Sequence, residues 1–146
     1  MPREVRTEIT INAAKEKIWQ ELTNFSAYPS WNPFAKSIQG ELSSGSTLAV
    51  TIDVPNSGIM KFKPRVIDVQ ANKSFSWQGK LLVKGVFDGR HSFEIQEKSE
   101  QECLLIHKED FSGIMVPMVW KKLDVNSRLG FMNMNKALKE RCEATE

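Results

Sequence analysis

Phe87-Asp88-Gly89-Arg90-His91-Ser92-Phe93-Glu94-Ile95 alternates in character: Phe87, His91, Phe93 and Ile95 share one parity, and Asp88, Arg90, Ser92 and Glu94 the other. A period of two is that of a strand with one face buried. The next run, Cys103-Leu104-Leu105-Ile106-His107-Lys108-Glu109-Asp110-Phe111, is apolar on both parities at its start, and its odd positions carry Cys103, Leu105, His107, Glu109 and Phe111. Polar Glu97-Lys98-Ser99-Glu100-Gln101 separates the two runs, which predicts a hairpin. With its pivot near Ser99, the two histidines of the chain, His91 and His107, become direct cross-strand partners on the apolar face, with Cβ atoms ~5 Å apart. A slip of one residue would send both to the opposite face.

Outward from this hairpin the same periodicity continues. Strand character recurs over Ile38 to Leu42, Leu48 to Val54, Ile59 to Val69 and Ser74 to Leu82, with breaks at or near Gly40, Gly45, Asn56-Ser57-Gly58, Ala71-Asn72-Lys73 and Lys84-Gly85. The pattern predicts an antiparallel meander. Pro64 cannot donate a ladder hydrogen bond, so a bulge or an edge position is expected there. Upstream, Val5, Ile9 and Ile11 share a parity and predict a first strand, after which Asn12 is placed to cap a helix carrying Ala14, Ile18, Leu22 and Phe25 on one stripe. Ser26-Ala27-Tyr28-Pro29-Ser30-Trp31-Asn32-Pro33 then fits a short second helix or turn.

Past Ser112-Gly113 the period changes, and one long helix is predicted from about Met115 to Arg141, with Pro117 tolerated in its first turn. Met115, Val119 and Leu123 form one ladder, Phe131, Met134 and Leu138 a second, and Leu129 and Met132 broaden the apolar surface. Four of the six methionines lie here. Methionine fills irregular core gaps, and it also adapts to variable contents where a cavity lies alongside. The order of elements predicts an α+β fold, a curved antiparallel sheet wrapped around the long C-terminal helix, with two short helices after the first strand. A sheet bent around one helix leaves a hollow between them, where small-molecule sites tend to form.

At 146 residues the chain is long enough for one domain, residues 1–146, with a core that needs neither disulfides nor metal. The 20 basic residues against 18 acidic ones give a net charge of +2 without a block of like charge, a poor footprint for nucleic acid. No stretch has the length and apolarity of a signal peptide or membrane span, so a cytoplasmic protein is expected. Cys103 and Cys142 lack metal-type spacing and are expected to be free thiols.

The layout resembles the SRPBCC superfamily, also called START-like or helix-grip, and within it the polyketide cyclase/dehydrase and lipid-transport-like group. The likeness runs over essentially the whole chain, from Ile9-Thr10-Ile11-Asn12-Ala13-Ala14 and Ile18-Trp19 to the terminal helix. Its more specific pieces are Tyr28-Pro29-Ser30-Trp31-Asn32-Pro33-Phe34, Ser76-Trp77-Gln78-Gly79, Phe87-Asp88-Gly89-Arg90-His91-Ser92-Phe93 and His107-Lys108-Glu109-Asp110-Phe111-Ser112-Gly113. The resemblance implies a pocket between sheet and long helix without naming what fills it, since this fold serves cyclases, carriers of hydrophobic ligands and co-chaperones alike.

Three readings of His91, His107 and Glu109 stay open. They are a hydrogen-bonded patch that orients a ligand or satisfies itself, an acid/base group of cyclase or dehydratase type, and a ligand set for a divalent metal. Among the aromatics, Trp31, in its proline-flanked turn, and Trp77, beside Gly79, are placed to meet a ligand. The expected ligand-binding set is Trp31, Phe62, Trp77, Phe87, His91, Phe93, His107, Glu109, Val119 and Leu123. Glycine-bounded, serine-rich Gly40-Glu41-Leu42-Ser43-Ser44-Gly45-Ser46 lacks a P-loop lysine and reads as a hairpin turn. Lys121, Lys122 and Arg128 read as the solvated face of the long helix. The leading expectation is a binder of a hydrophobic or aromatic small molecule, with neither cofactor nor metal, no nucleic-acid partner, and the oligomeric state open. The alternatives are an enzyme using His91, His107 and Glu109, or a co-chaperone-like interaction module with a filled interior.

Overall fold

The computed structural model describes residues 3–80, 85 and 87–144. Strand β1 (Arg3–Ile11) is followed by helix α1 (Lys15–Thr23), a 3₁₀ turn over Phe25–Ala27 and the short helix α2 (Tyr28–Trp31). Then come β2 (Ala35–Gln39), β3 (Ala49–Val54), β4 (Gly58–Phe62), β5 (Arg65–Gln70), β6 (Ser74–Lys80), β7 (Asp88–Ser99), β8 (Glu102–Ser112) and helix α3 (Val116–Glu143). The strands form a five-stranded antiparallel sheet in the order β1-β8-β7-β6-β5 and a three-stranded one in the order β2-β3-β4. An isolated bridge, Thr47 to Arg65, links the two.

The sheets grip α3, as the change of period at Gly113 predicts. Phe131, Met134 and Leu138 are almost wholly buried, each side chain contributing about 1.5–3 kcal/mol of transfer free energy. Polar ties fix the helix against the first strand. Arg128 Nη1 donates to the Arg6 carbonyl at 2.8 Å, and Lys139 Nζ donates to the Thr10 carbonyl at 2.9 Å.

Several local expectations are corrected. Helix α1 begins at Lys15 behind Ala14, which makes no side-chain cap bond; Asn12 does not cap it. Its backbone N–H is taken instead by Glu143 Oε2 at 2.6 Å, tying the end of β1 to the last turn of α3. The run from Ile59 to Val69 is two strands in different sheets, parted at Pro64, where a residue without an N–H cannot carry the ladder across. Strand β6 ends at Lys80 within the described residues; Leu82 and Lys84 lie outside them.

The hairpin register also differs from expectation. Ser99 pairs with Glu102, placing the turn at Glu100-Gln101, and an irregularity between Glu97 and Ser99 sets the rest of the ladder. The direct partner of His91 is therefore Glu109, and that of His107 is Phe93. The offset from the expected register is two residues, so every side chain keeps its face.

Methionines on α3 do not form a cavity lining as a group. Met134 is buried, whereas Met115, Met118 and Met132 are exposed, together with Ile114, Val119, Val125 and Leu129. Met118, Val119, Val125, Leu129 and Met132 are exposed on α3, where Lys121 and Lys122 are exposed among them and Arg128 pairs with Asp124 at 2.9 Å, while Ile114 and Met115 precede the helix. Cys103 and Cys142 are free and buried, and burial pushes the Cys142 thiol up to about 12, which keeps it unreactive. Among the described residues, no helix is long and apolar enough to cross a membrane.

Gly130 tests the grip. A helix-interior Gly→Ala change ordinarily stabilises by about 0.5–1 kcal/mol. Here the added Cβ would lie 2.6 Å from Cδ1 of Phe34, a buried ring. Gly130→Ala is expected to destabilise by about 1–3 kcal/mol in urea unfolding; a stabilised variant would show that α3 does not press on Phe34.

Candidate functional site

Between the sheets and α3 lies a cavity of about 140 Å³. Its sheet wall is built from Trp77, His91, Phe93, Glu109 and Phe111, its helix wall from Leu123, Asn126, Ser127, Phe131 and Met134, and Phe34 and Ile38 come from the β2 side. Ser57, Lys61, Lys80 and Phe87 also line it and are partly or fully exposed, so they mark where it meets solvent. The inward parity of β7 and β8 brings His91, Phe93, Glu109 and Phe111 to one surface.

Of the residues expected from sequence, Phe62, Trp77, Phe87, His91, Phe93, Glu109 and Leu123 line this cavity. Three others are placed elsewhere. His107 is wholly buried behind His91 and Phe131. Trp31 packs edge-on against Tyr28 beneath the Arg141 guanidinium, and Val119 is 39% exposed.

A chain of hydrogen bonds runs from β1 to the cavity wall. The Thr7 hydroxyl donates to the His107 carbonyl at 2.8 Å, and Asn135 Nδ2 donates to Thr7 Oγ1 at 2.8 Å. This turns Asn135 Oδ1 toward His107 Nδ1, also at 2.8 Å, so that nitrogen carries a proton. Burial, reinforced by the neighbouring His91, pushes His107 well below its ordinary value of 6.5, against the opposing pull of Asn135. The ring is neutral and its Nε2 is an acceptor. His91 Nε2, 2.7 Å away, must then donate to it.

What remains is His91 Nδ1, 3.1 Å from Glu109 Oε1. Two bare lone pairs at that distance would repel, so one proton lies between them, held by the imidazolium or by the carboxyl group. Aromatic faces hold the rings in place. Trp77 stacks on His91 with centroids 5.0 Å apart, and Phe131 on His107 at 4.2 Å.

Gly89 makes the His91–Glu109 contact possible. A Cβ there would sit 2.1 Å from Glu109 Oε2, so only glycine lets the carboxylate lie across β7. Sequence reasoning missed Gly89, Thr7 and Asn135 as parts of this arrangement. Two signals were present: a glycine two residues before His91 on the same strand face, and Asn126, Ser127 and Asn135 set into the apolar stripe of α3. The metal reading fits poorly with this geometry, because the nitrogens a metal would need are engaged by one another and by Asn135. Among the described residues, no cluster of three or more His, Cys, Asp or Glu side chains is arranged to hold a metal ion.

Residues 2–143 match the family model described as polyketide cyclase / dehydrase and lipid transport. This chain belongs to that family. No curated protein sequence matches it. Solved structures agree on the fold. An aromatase/cyclase from Streptomyces sp. is similar with a TM-score of 0.79 at 14% identity, over 98% of this chain and 94% of that one. A START superfamily protein from Mycobacterium smegmatis is similar with a TM-score of 0.74 at 22% identity, over 96% of this chain and 97% of that one. Norcoclaurine synthase from Thalictrum flavum, in complex with dopamine and hydroxybenzaldehyde, is similar with a TM-score of 0.72 at 14% identity, over all of this chain and 90% of that one. At these identities the likeness is one of fold.

The neutral buried imidazole has a consequence for stability. Below about pH 6.5 the unfolded chain binds a proton at position 107 that the folded chain refuses. Stability is therefore full above that pH and falls as the pH drops below it, with a limiting slope of about 1.4 kcal/mol per pH unit from this group. Urea unfolding between pH 5 and 7.5 is expected to show this component in the native protein and to lose it in His107→Gln.

Proposed function

We propose that this protein binds a small hydrophobic or aromatic molecule in the cavity between sheet and α3. The observation that carries the reading is the cavity itself: mostly apolar and aromatic walls with a few polar groups, His91 and Glu109 on the sheet side and Asn126 and Ser127 on the helix side, the usual makeup of a small-molecule site. Its volume sets a scale. A cavity of roughly 150 Å³ takes up benzene in another protein. The space of about 140 Å³ thus suits one ring or a short chain, and a larger ligand would extend past Lys61 and Lys80. The dopamine and hydroxybenzaldehyde held by norcoclaurine synthase are molecules of this one-ring size. A co-chaperone-like module with a filled interior is less well supported, because this interior is open.

The proton between His91 and Glu109 favours a second reading, an enzyme of cyclase, aromatase or dehydratase type. A group that holds one proton beside a cavity can give it to a ligand or take one from it. His107 would act there only through His91, since it meets no ligand. On this reading His91→Gln abolishes turnover of a bound substrate and leaves its binding nearly intact; turnover that survives removes the pair from the mechanism.

Binding is tested by thermal unfolding against a panel of single-ring and short-chain apolar compounds. A ligand at 100 times its Kd is expected to stabilise by about 2.7 kcal/mol. Leu123→Trp, at a half-buried position of the lining, is expected to keep the fold and lose the stabilisation. A panel without a single stabilising compound, or an unchanged response in Leu123→Trp, would overturn the assignment to this cavity.

A further inference from the structure

We propose that the cavity recognises a neutral aromatic ring bearing a hydroxyl donor, accepted by Glu109 Oε2, and that Asn135 is the positioning residue that gives the site this polarity. The proposal rests on the cavity being a small-molecule site and names the chemistry that site selects.

Counting hydrogen-bond valences identifies the ligand group. All four ring nitrogens of His91 and His107 are engaged, as is Glu109 Oε1. Glu109 Oε2 lies over Gly89 in the cavity wall and makes no hydrogen bond among the described residues. The open valence on the sheet wall is thus an acceptor. A ketone, ester or ether placed against it would set lone pair against lone pair, so a polar group at this point of the sheet wall must bring the donor, while Asn126 and Ser127 stand on the helix wall.

Proton counting identifies the charge. The chain from Thr7 leaves a single proton between His91 Nδ1 and Glu109 Oε1, and the pair is neutral overall whichever atom holds it. An ammonium group gains no unpaired negative charge from such a pair, whereas a neutral O–H matches it. The walls identify the body of the ligand. Phe34, Trp77, Phe93 and Phe131 offer ring faces and edges around a space of about 140 Å³.

Asn135 touches no ligand in this scheme. Its side chain is buried and holds the proton on His107 Nδ1, which forces His91 to spend its Nε2–H on His107 and to turn Nδ1 toward the carboxyl group. Without Asn135, the His107 proton can move to Nε2. His91 would then have to accept at Nε2 and donate from Nδ1, leaving Glu109 a bare carboxylate and the pair negatively charged.

The test compares four single-ring probes by calorimetric titration: phenol, anisole, toluene and benzylamine. In the native protein phenol is expected to bind roughly tenfold more tightly than anisole or toluene, the worth of a hydrogen bond to a carboxyl acceptor. Glu109→Met is expected to erase that preference and keep toluene binding. Asn135→Leu is expected to keep the phenol preference and to raise benzylamine affinity relative to toluene, because the pair becomes negatively charged; an unchanged benzylamine-to-toluene ratio overturns the role of Asn135. Nitrogen-15 spectra of the histidine rings should meanwhile show the His107 proton leaving Nδ1, a change that loss of packing alone would not produce. Equal binding of phenol, anisole and toluene overturns the proposal and leaves the cavity reading standing. Benzylamine binding tightest overturns the neutral pair, and no binding by any probe overturns the cavity reading together with the proposal. If Asn135→Leu fails to fold, the native and Glu109→Met titrations decide the ligand class, and the native ring spectrum decides the tautomer: a proton on His107 Nε2 there would refute the role of Asn135.

Discussion

Two buried imidazole nitrogens 2.7 Å apart are held together by a proton between them, and the character of the site follows from which ring supplies it. The competition is decided by magnitudes. Stripping water from a charged imidazole costs several kcal/mol, whereas a hydrogen bond such as that to Asn135 returns about 0.5–1.5 kcal/mol net, so His107 stays neutral. A neutral ring has one proton to place. Asn135, itself oriented by Thr7, places it on the far nitrogen, and the near one can only accept. The remaining proton is thereby placed on the cavity side, between His91 and Glu109. The aromatic surroundings sharpen the effect, since Trp77, Phe93 and Phe131 offer the rings no competing polar partner.

The faces of the strands were legible in the sequence because side-chain alternation needs only local spacing. So were the long helix, whose period changes after Gly113, and the placing of His91, His107 and Glu109 on one surface. Register was not legible. The polar stretch from Glu97 to Gln101 contains no glycine, asparagine or proline to mark the centre of the turn, and the irregularity before Ser99 leaves no mark in composition. Glu109 therefore lies one step nearer to His91 than alternation suggested. Tertiary partners were less legible still. Asn135 reads as a polar interruption in an apolar stripe, and nothing in its neighbourhood names Thr7 or His107. Gly89 reads as one more position of an alternating strand, although its missing side chain serves a carboxylate arriving from the next strand. The outer face of α3 failed for a related reason. Met115, Met118 and Met132 are apolar without being inside, which composition cannot distinguish.

Membership of a family that joins cyclases, dehydrases and lipid transport leaves chemistry to the individual cavity. In this chain the cavity is small and carries polar groups on both walls, His91 and Glu109 on the sheet and Asn126 and Ser127 on the helix.

The bonds from Thr7 to His107 and from Asn135 to Thr7 join residues 100 and 128 positions apart, so the ends of the chain meet at the middle of the site. Contacts over such distances carry a larger loop-closure cost than those of the β7–β8 hairpin, whose strands are neighbours in the chain. That hairpin alone puts His91, His107 and Glu109 on one surface, whereas the tautomer of His107 depends on Asn135 of α3 and Thr7 of β1. The sheet thus supplies the shape of the pocket, and the contact of the last helix with the first strand supplies its polarity. Recognition at this site is in that respect a property of the completed chain, carried by no single segment of it.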